Sequence, residues 1–151
     1  MTVENLAELK QFVGKELPPS EWLTISQEMI NSFAEATLDF QWIHTDVERA
    51  QKESPFGGPI AHGFMSVSLI SKFIEGMMEV KSAKMGVNYG LNKVRLPHPV
   101  PAGSRLRMVG KIAEIEPYGE NGAKVTWDCT LELEGIEKPA CVGQFLALLF
   151  E

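Results

Sequence analysis

Between Ala123 and Glu134 apolar and polar residues alternate without a break. Ala123, Val125, Trp127, Cys129, Leu131 and Leu133 fall on one face, and Lys124, Thr126, Asp128, Thr130, Glu132 and Glu134 on the other. A period of two predicts a strand with one buried and one wet face. Strand-like stretches also cover residues 84–96, 104–116 and 138–150, with turn chemistry at 97–103, at Glu120-Asn121-Gly122 and at Glu134-Gly135. The short connections between the last three predict an antiparallel meander. In the final stretch Val142, Leu146, Leu148 and Phe150 alternate with Phe145, Ala147 and Leu149, the pattern of a strand covered on both faces.

The first half of the chain changes period. Val3, Leu6, Leu9 and Val13 recur at helical spacing, predicting a short amphipathic helix over 3–12 that Gly14 and Pro18-Pro19 end. Residues 22–25 read as a short strand. Ser26 is placed to cap a helix running to about Leu38, with Glu28 at its positive end. The tetrad Thr45-Asp46-Val47-Glu48 has capping-box form and predicts a second short helix over 46–52. Asp39 and His44 thus fall on a tight connector between two helices. Ser54-Pro55-Phe56-Gly57-Gly58-Pro59 is a loop by composition. From His62-Gly63 the run Phe64, Met65, Val67, Leu69, Ile70, Phe73, Ile74, Met77 and Met78 is apolar on nearly every side, so other elements must wrap this helix. A lone apolar helix followed by long antiparallel strands predicts an α+β domain over 1–151, with a curved sheet around a buried helix.

Composition narrows the class. A net charge of -6 offers no basic stripe for nucleic-acid phosphates. The apolar runs are too short or too interrupted to span a bilayer, and the N-terminus lacks the apolar centre of a signal peptide, which predicts a cytoplasmic protein without membrane attachment. Cys129 and Cys141 lie inside strand-like segments and read as reduced core residues. Three histidines without a repeat or a characteristic ligand spacing predict no metal site.

The candidate chemistry lies between residues 39 and 68. An Asp and a His on one connector can hold a single water between them, and a neutral imidazole suits proton transfer near pH 7. At the start of the apolar helix, free N–H groups carry partial positive charge, and Gly63 admits a carbonyl oxygen close to the backbone. Ser68 either bonds back to its own helix or faces the pocket. Trp42 is either a core aromatic or a pocket wall. His62 reads as a residue that orders its loop through its ring nitrogens, and His98, between prolines, as exposed.

The run Asp39-Phe40-Gln41-Trp42-Ile43-His44, followed by Pro59-Ile60-Ala61-His62-Gly63 and Ser68, resembles the MaoC-like (hydratase-2) family of (R)-specific enoyl-CoA hydratases. Together with Asn88-Tyr89-Gly90-Leu91-Asn92-Lys93-Val94-Arg95 it is most similar to the NodN-like branch of single-domain proteins. The similarity spans residue 22 to the end. It departs where Leu38 replaces Gly, which alters the turn presenting Asp39, and where Gln41-Trp42 replaces Asn-Pro, which alters the pocket wall.

The resemblance implies a hot dog fold and reversible hydration of trans-2-enoyl-CoA to (R)-3-hydroxyacyl-CoA without metal or redox cofactor. It implies Asp39 and His44 as the catalytic dyad, with Gly63, Ser68, Gln41 and Trp42 as oxyanion and substrate contacts. It further implies a homodimer joined sheet edge to sheet edge. Lys93 and Arg95 share strand parity and offer a basic patch for coenzyme A phosphates, with a solvated sheet face as the alternative; Arg105 and Arg107 form a similar pair. An acyl-thioester hydrolase, a non-catalytic acyl-binding subunit and a hydratase of acyl-carrier-protein thioesters are the competing readings.

Overall fold

The structure is a computed structural model describing residues 1–151. The chain opens with β1 (Thr2–Val3) and α1 (Leu6–Leu9), which tightens into a 3-10 turn at Lys10–Phe12. The first helix therefore starts later than its apolar spacing suggests. Asn5 takes the N-cap position, its side chain accepting from Glu8 N–H at 2.9 Å. Val3 is freed to pair in parallel with Val80. After β2 (Leu23–Thr24), α2 covers Gln27–Thr37, and Met29 N–H donates to Ser26 Oγ as expected of a capping serine.

Leu38 ends α2 in the left-handed region, at φ 62° and ψ 22°. That conformation brings Cβ close to the following carbonyl and costs a non-glycine residue about 1–2 kcal/mol. The side chain is 78% exposed and returns little packing. Leu38→Gly is therefore expected to stabilise the fold by up to about 1 kcal/mol, since the backbone entropy of Gly offsets part of the relieved strain. A melting curve should show a rise of about 2–4 °C; an unchanged or lower Tm contradicts this account of the turn.

A single-turn helix, α3 (Trp42–Thr45), follows, then α4 (Val47–Glu53). The cap of α4 is Asp46, which accepts from Arg49 N–H at 3.0 Å, rather than Thr45, so the helix begins one residue later than the capping-box reading. Next come α5 (Gly63–Ser68) and α6 (Ile70–Met77), two segments separated by Leu69, which keeps right-handed helical angles. The sheet packs against this helix as expected but leaves one of its faces uncovered. Met65, Ser66, Ile70, Phe73 and Met77 are buried, but Phe64, Ser68, Lys72 and Glu75 form an outer stripe, with Phe64 74% exposed. Spacings of four, four and three place these residues on one face, so the sheet covers only the other side.

After the short β3 (Glu79–Val80) come β4 (Met85–Arg95), β5 (Arg105–Tyr118), β6 (Gly122–Leu133) and β7 (Ile136–Phe150). The last three form the expected meander, but β4 lies beyond β7, so the sheet order is β2-β5-β6-β7-β4 with antiparallel pairs throughout. All six apolar-face residues of β6 are buried. They join Met65, Ile70, Phe73 and Met77 of the helix in one contiguous core cluster with Leu106, Met108 and Ile112 of β5. Cys129 and Cys141 are buried free thiols, and burial pushes Cys129 up to about 12. In β7, Phe145 and Leu148 are buried while Val142 stays exposed, so its outer face is only partly covered within one chain. No helix is long and apolar enough to cross a membrane.

Strand parity breaks down on β4. Register shifts after Asn88 and after Asn92, together with φ 49° at Lys93, interrupt the alternation. Lys93 and Arg95 therefore do not form the regular outward pair that parity predicts. Arg105 and Arg107 are committed to Glu134 and Glu132, at 3.2 and 2.6 Å, and lie over the Trp22 ring.

Candidate active site

The connector after α2 is tied down from both sides. Gln41 N–H donates to Asp39 Oδ1 at 3.3 Å and His44 N–H donates to Gln41 O at 3.0 Å, closing the turn of α3. The arriving loop then docks on it through one residue. Ile60 N–H donates to Ile43 O at 3.0 Å, and His44 Nδ1–H donates to Ile60 O at 2.6 Å. From the other flank, Gln27 Nε2 donates to His44 O at 2.7 Å.

These bonds fix the chemistry of His44. A carbonyl oxygen only accepts, so Nδ1 carries the proton and, in the neutral ring, Nε2 holds the free lone pair. Burial is the largest cause that lowers the His44 pKa; the bond to Ile60 opposes it, His62 adds to the lowering and Asp39 opposes it. The ring is 6% exposed, whereas Asp39 is exposed. A His44 that accepts a proton must be neutral, so activity is lost as the pH falls through its folded pKa. The acid limb of kcat/KM is expected below the ordinary imidazole value of about 6.5. A pH–rate profile checks this, and a limb at or above that value contradicts it.

Ligand-capable atoms of Asp39, His44 and His62 lie within 4.8 Å of one another. A water making two hydrogen bonds of about 2.8 Å at a near-tetrahedral angle bridges groups about 4.6 Å apart, a span within that limit. The set also has the composition of a metal triad. The two imidazoles, however, are stacked at 3.8 Å and 26°, and each has a nitrogen engaged with a backbone carbonyl.

The surrounding cavity, about 410 Å³, is lined by Phe33, Thr37, Asp39, His44, His62, Gly63, Phe64 and Ser68. The structure thus brings Asp39, His44, Gly63 and Ser68 together. Gly63 N–H, at the start of α5, has no acceptor within the chain. A Cβ on Gly63 would meet Leu96 Cδ1 at 2.5 Å, so the glycine permits close packing there. Ser68 Oγ donates to Phe64 O at 2.8 Å, the back-bonded alternative, while still bordering the cavity.

Other expected contacts lie elsewhere. Gln41 contributes through its backbone and is exposed; Trp42 is half-buried with the Arg49 guanidinium 4.3 Å over its ring, and neither lines the cavity. Lys93 borders a polar hollow on the outer sheet face with Lys111, Asp128 and Gln144, and Arg95 donates to Val94 O. His98 is half-buried, its Nδ1 bonded to Pro99 O. Phe33 and Thr37, one helical turn apart on α2, escaped the sequence reading as cavity residues, as did the Ile60 carbonyl. The i, i+4 spacing of the first two beside Asp39 was the available signal.

A curved antiparallel sheet packed against the helical segments α5 and α6, with Asp39 and His44 beside the start of α5, is the hot dog architecture. The MaoC like domain family matches residues 8–131. The chain is 47% identical over 143 residues to the 3-hydroxyacyl-thioester dehydratase Z of Mycobacterium tuberculosis, covering 95% of this chain and 94% of that protein. It is 41% identical over 146 residues to Nodulation protein N of Rhizobium leguminosarum bv. viciae, covering 96% and 91%. The unliganded R-hydratase PhaJ1 of Pseudomonas aeruginosa superposes with a TM-score of 0.75 at 23% identity, over 96% of this chain and 84% of that one. The chain belongs to the MaoC-like family of dehydratases and hydratases.

Proposed function

We propose that this protein catalyses reversible addition of water to trans-2-enoyl-CoA, giving (R)-3-hydroxyacyl-CoA. The observation that carries the reading is the His44 ring, held by Ile60 O so that its basic Nε2 is free beside the Asp39 carboxylate. In the hydration direction, one water rests between the two groups. Its oxygen bonds to the β carbon, its proton passes to His44 Nε2, and the same proton is delivered to the α carbon as the double bond is saturated. Asp39 orients the water and offsets the imidazolium charge. Gly63 N–H meets the thioester oxygen as enolate character develops.

The acyl chain has a fitting path. A groove of about 450 Å³, lined by Met29, Phe33, Met65 and Leu69 with Ser26, Glu28, Ser32 and Ser68, shares Phe33 and Ser68 with the acid–base cavity. Apolar walls leading from the reacting centre suit a fatty acyl tail.

The reading includes a homodimer joined through β4. That strand lies at the sheet edge and exposes the apolar side chains of Met85, Val87, Tyr89 and Leu91, on both sides of the bulge at Tyr89, which a lone chain leaves in water. Light scattering should give the mass of two chains.

Loss of enoyl-thioester absorbance with crotonyl-CoA and a longer trans-2-enoyl-CoA, alongside a free-thiol assay, tests the reaction. Absorbance loss without thiol release is the expected result. Thiol release makes the protein a thioesterase, and no change with either substrate overturns the enzyme reading.

A further inference from the structure

His62 is 3% exposed, and its ring touches three parts of the site at once. His62 Nε2 lies 2.9 Å from Asp39 O; since a carbonyl only accepts, this nitrogen carries the proton and donates. The ring stacks on His44 with centroids 3.8 Å apart, and its far side meets Phe33 at 5.0 Å. Its backbone caps α5, so Gly63 follows directly. His62 Nδ1 is buried without a partner, an unmet bonding need that an apolar ring would not have. A loop filler needs no such group. The imidazole fits where a flat face and one correctly placed donor are both required.

We propose that His62 is a positioning residue for the acid–base pair. Its donor holds the backbone of Asp39 and its face fixes the plane of His44, so that carboxylate and Nε2 meet one water. The inference rests on the hydratase reading. Asp39 is anchored otherwise only by its own turn to Gln41, because its side chain is exposed. Without the His62 bond the turn is free to swing, and displacement by about 1 Å at a reacting centre can cost on the order of 100-fold in rate.

Two substitutions separate the donor from the face. His62→Phe keeps a flat ring and loses the donor; His62→Gln keeps an N–H donor of similar reach and loses the ring. His62→Phe is expected to lower kcat about 10–100-fold while KM changes by less than about threefold, because the contacts that bind substrate remain. His62→Gln restores the donor but not the face, so it should recover part of kcat, and it should move the acid limb to higher pH. The titratable groups acting on His44 are Asp39 and His62, and removing His62 removes one cause that lowers the His44 pKa.

A His62→Phe protein that is folded by circular dichroism and keeps kcat within about twofold overturns the proposal. So does a His62→Gln protein with an unmoved acid limb, which decides the matter if His62→Phe does not fold. Should the wild type hydrate no enoyl-CoA, the hydratase reading fails separately. Nitrogen-15 spectra of the His44 ring then decide the positioning claim: a single Nδ1–H tautomer that becomes mixed on His62→Phe supports it, and unchanged spectra overturn it.

Discussion

Asp39→Asn and His44→Ala are each expected to lower kcat/KM for enoyl-CoA hydration by about 10²–10⁴, or about 2.7–5.5 kcal/mol of transition-state stabilisation. On the proposed reading the two act on one water, which their placement within 4.8 Å allows, so their effects should not add. The double variant should fall within about tenfold of the weaker single one. Fully additive losses in a double-mutant cycle would mean that the groups serve separate steps. Asp39→Asn keeps the shape of the side chain, and its carbonyl oxygen can still accept from Gln41 N–H, so the loss should come without a change in melting temperature. His44→Ala removes a buried ring that bonds Ile60, and some stability goes with it.

The second large effect concerns the scaffold. Phe73, on α6, is 3% exposed and belongs to the same apolar cluster as Trp127 and Leu131 of β6. Phe73→Ala removes most of a large ring from a packed interior and leaves a cavity, which costs about 3–5 kcal/mol. Against a usual total of about 5–15 kcal/mol this is severe, and a fall in Tm of about 6–20 °C is expected. Phe73 does not line the acid–base cavity, so the surviving folded protein should retain kcat within a fewfold. A large loss of kcat at a temperature where the variant is folded would show that the packing of α6 sets the geometry of the site.

The sheet was legible because period-two alternation is imposed by burial on one face, and β6 obeys it from Ala123 to Leu133 except at Thr126, which is buried on the other face. The capping of α2 by Ser26 was legible because a hydroxyl before an apolar helical run has one efficient use. The outer stripe of α5 and α6 was present in the sequence at Ser68, Lys72 and Glu75, but the apolar residues around it masked the period. The bulge at Lys93 was not legible, since a left-handed lysine carries no compositional mark and rests on neighbouring strand pairing. Two-residue strands such as β1 contain too few positions for any period to show.

Within the site, Asp39 and His44 were marked by resemblance more than by spacing, whereas the contacts that orient them are backbone contacts. The Ile60 carbonyl that sets the His44 tautomer and the Asp39 carbonyl that holds His62 have no side-chain signature at all. Trp42 and Gln41, close to Asp39 in sequence, lie outside the cavity; Trp42 is two residues before His44 on α3, about 200° around the helix from it. Phe33 and Thr37 enter it from α2 instead.

The most direct test of the central claim is chiral analysis of the product formed from trans-2-enoyl-CoA by the wild type and by Asp39→Asn. The account predicts (R)-3-hydroxyacyl-CoA from the wild type and its near-complete loss in the variant. An (S) product, or undiminished (R) product from Asp39→Asn, would contradict the account.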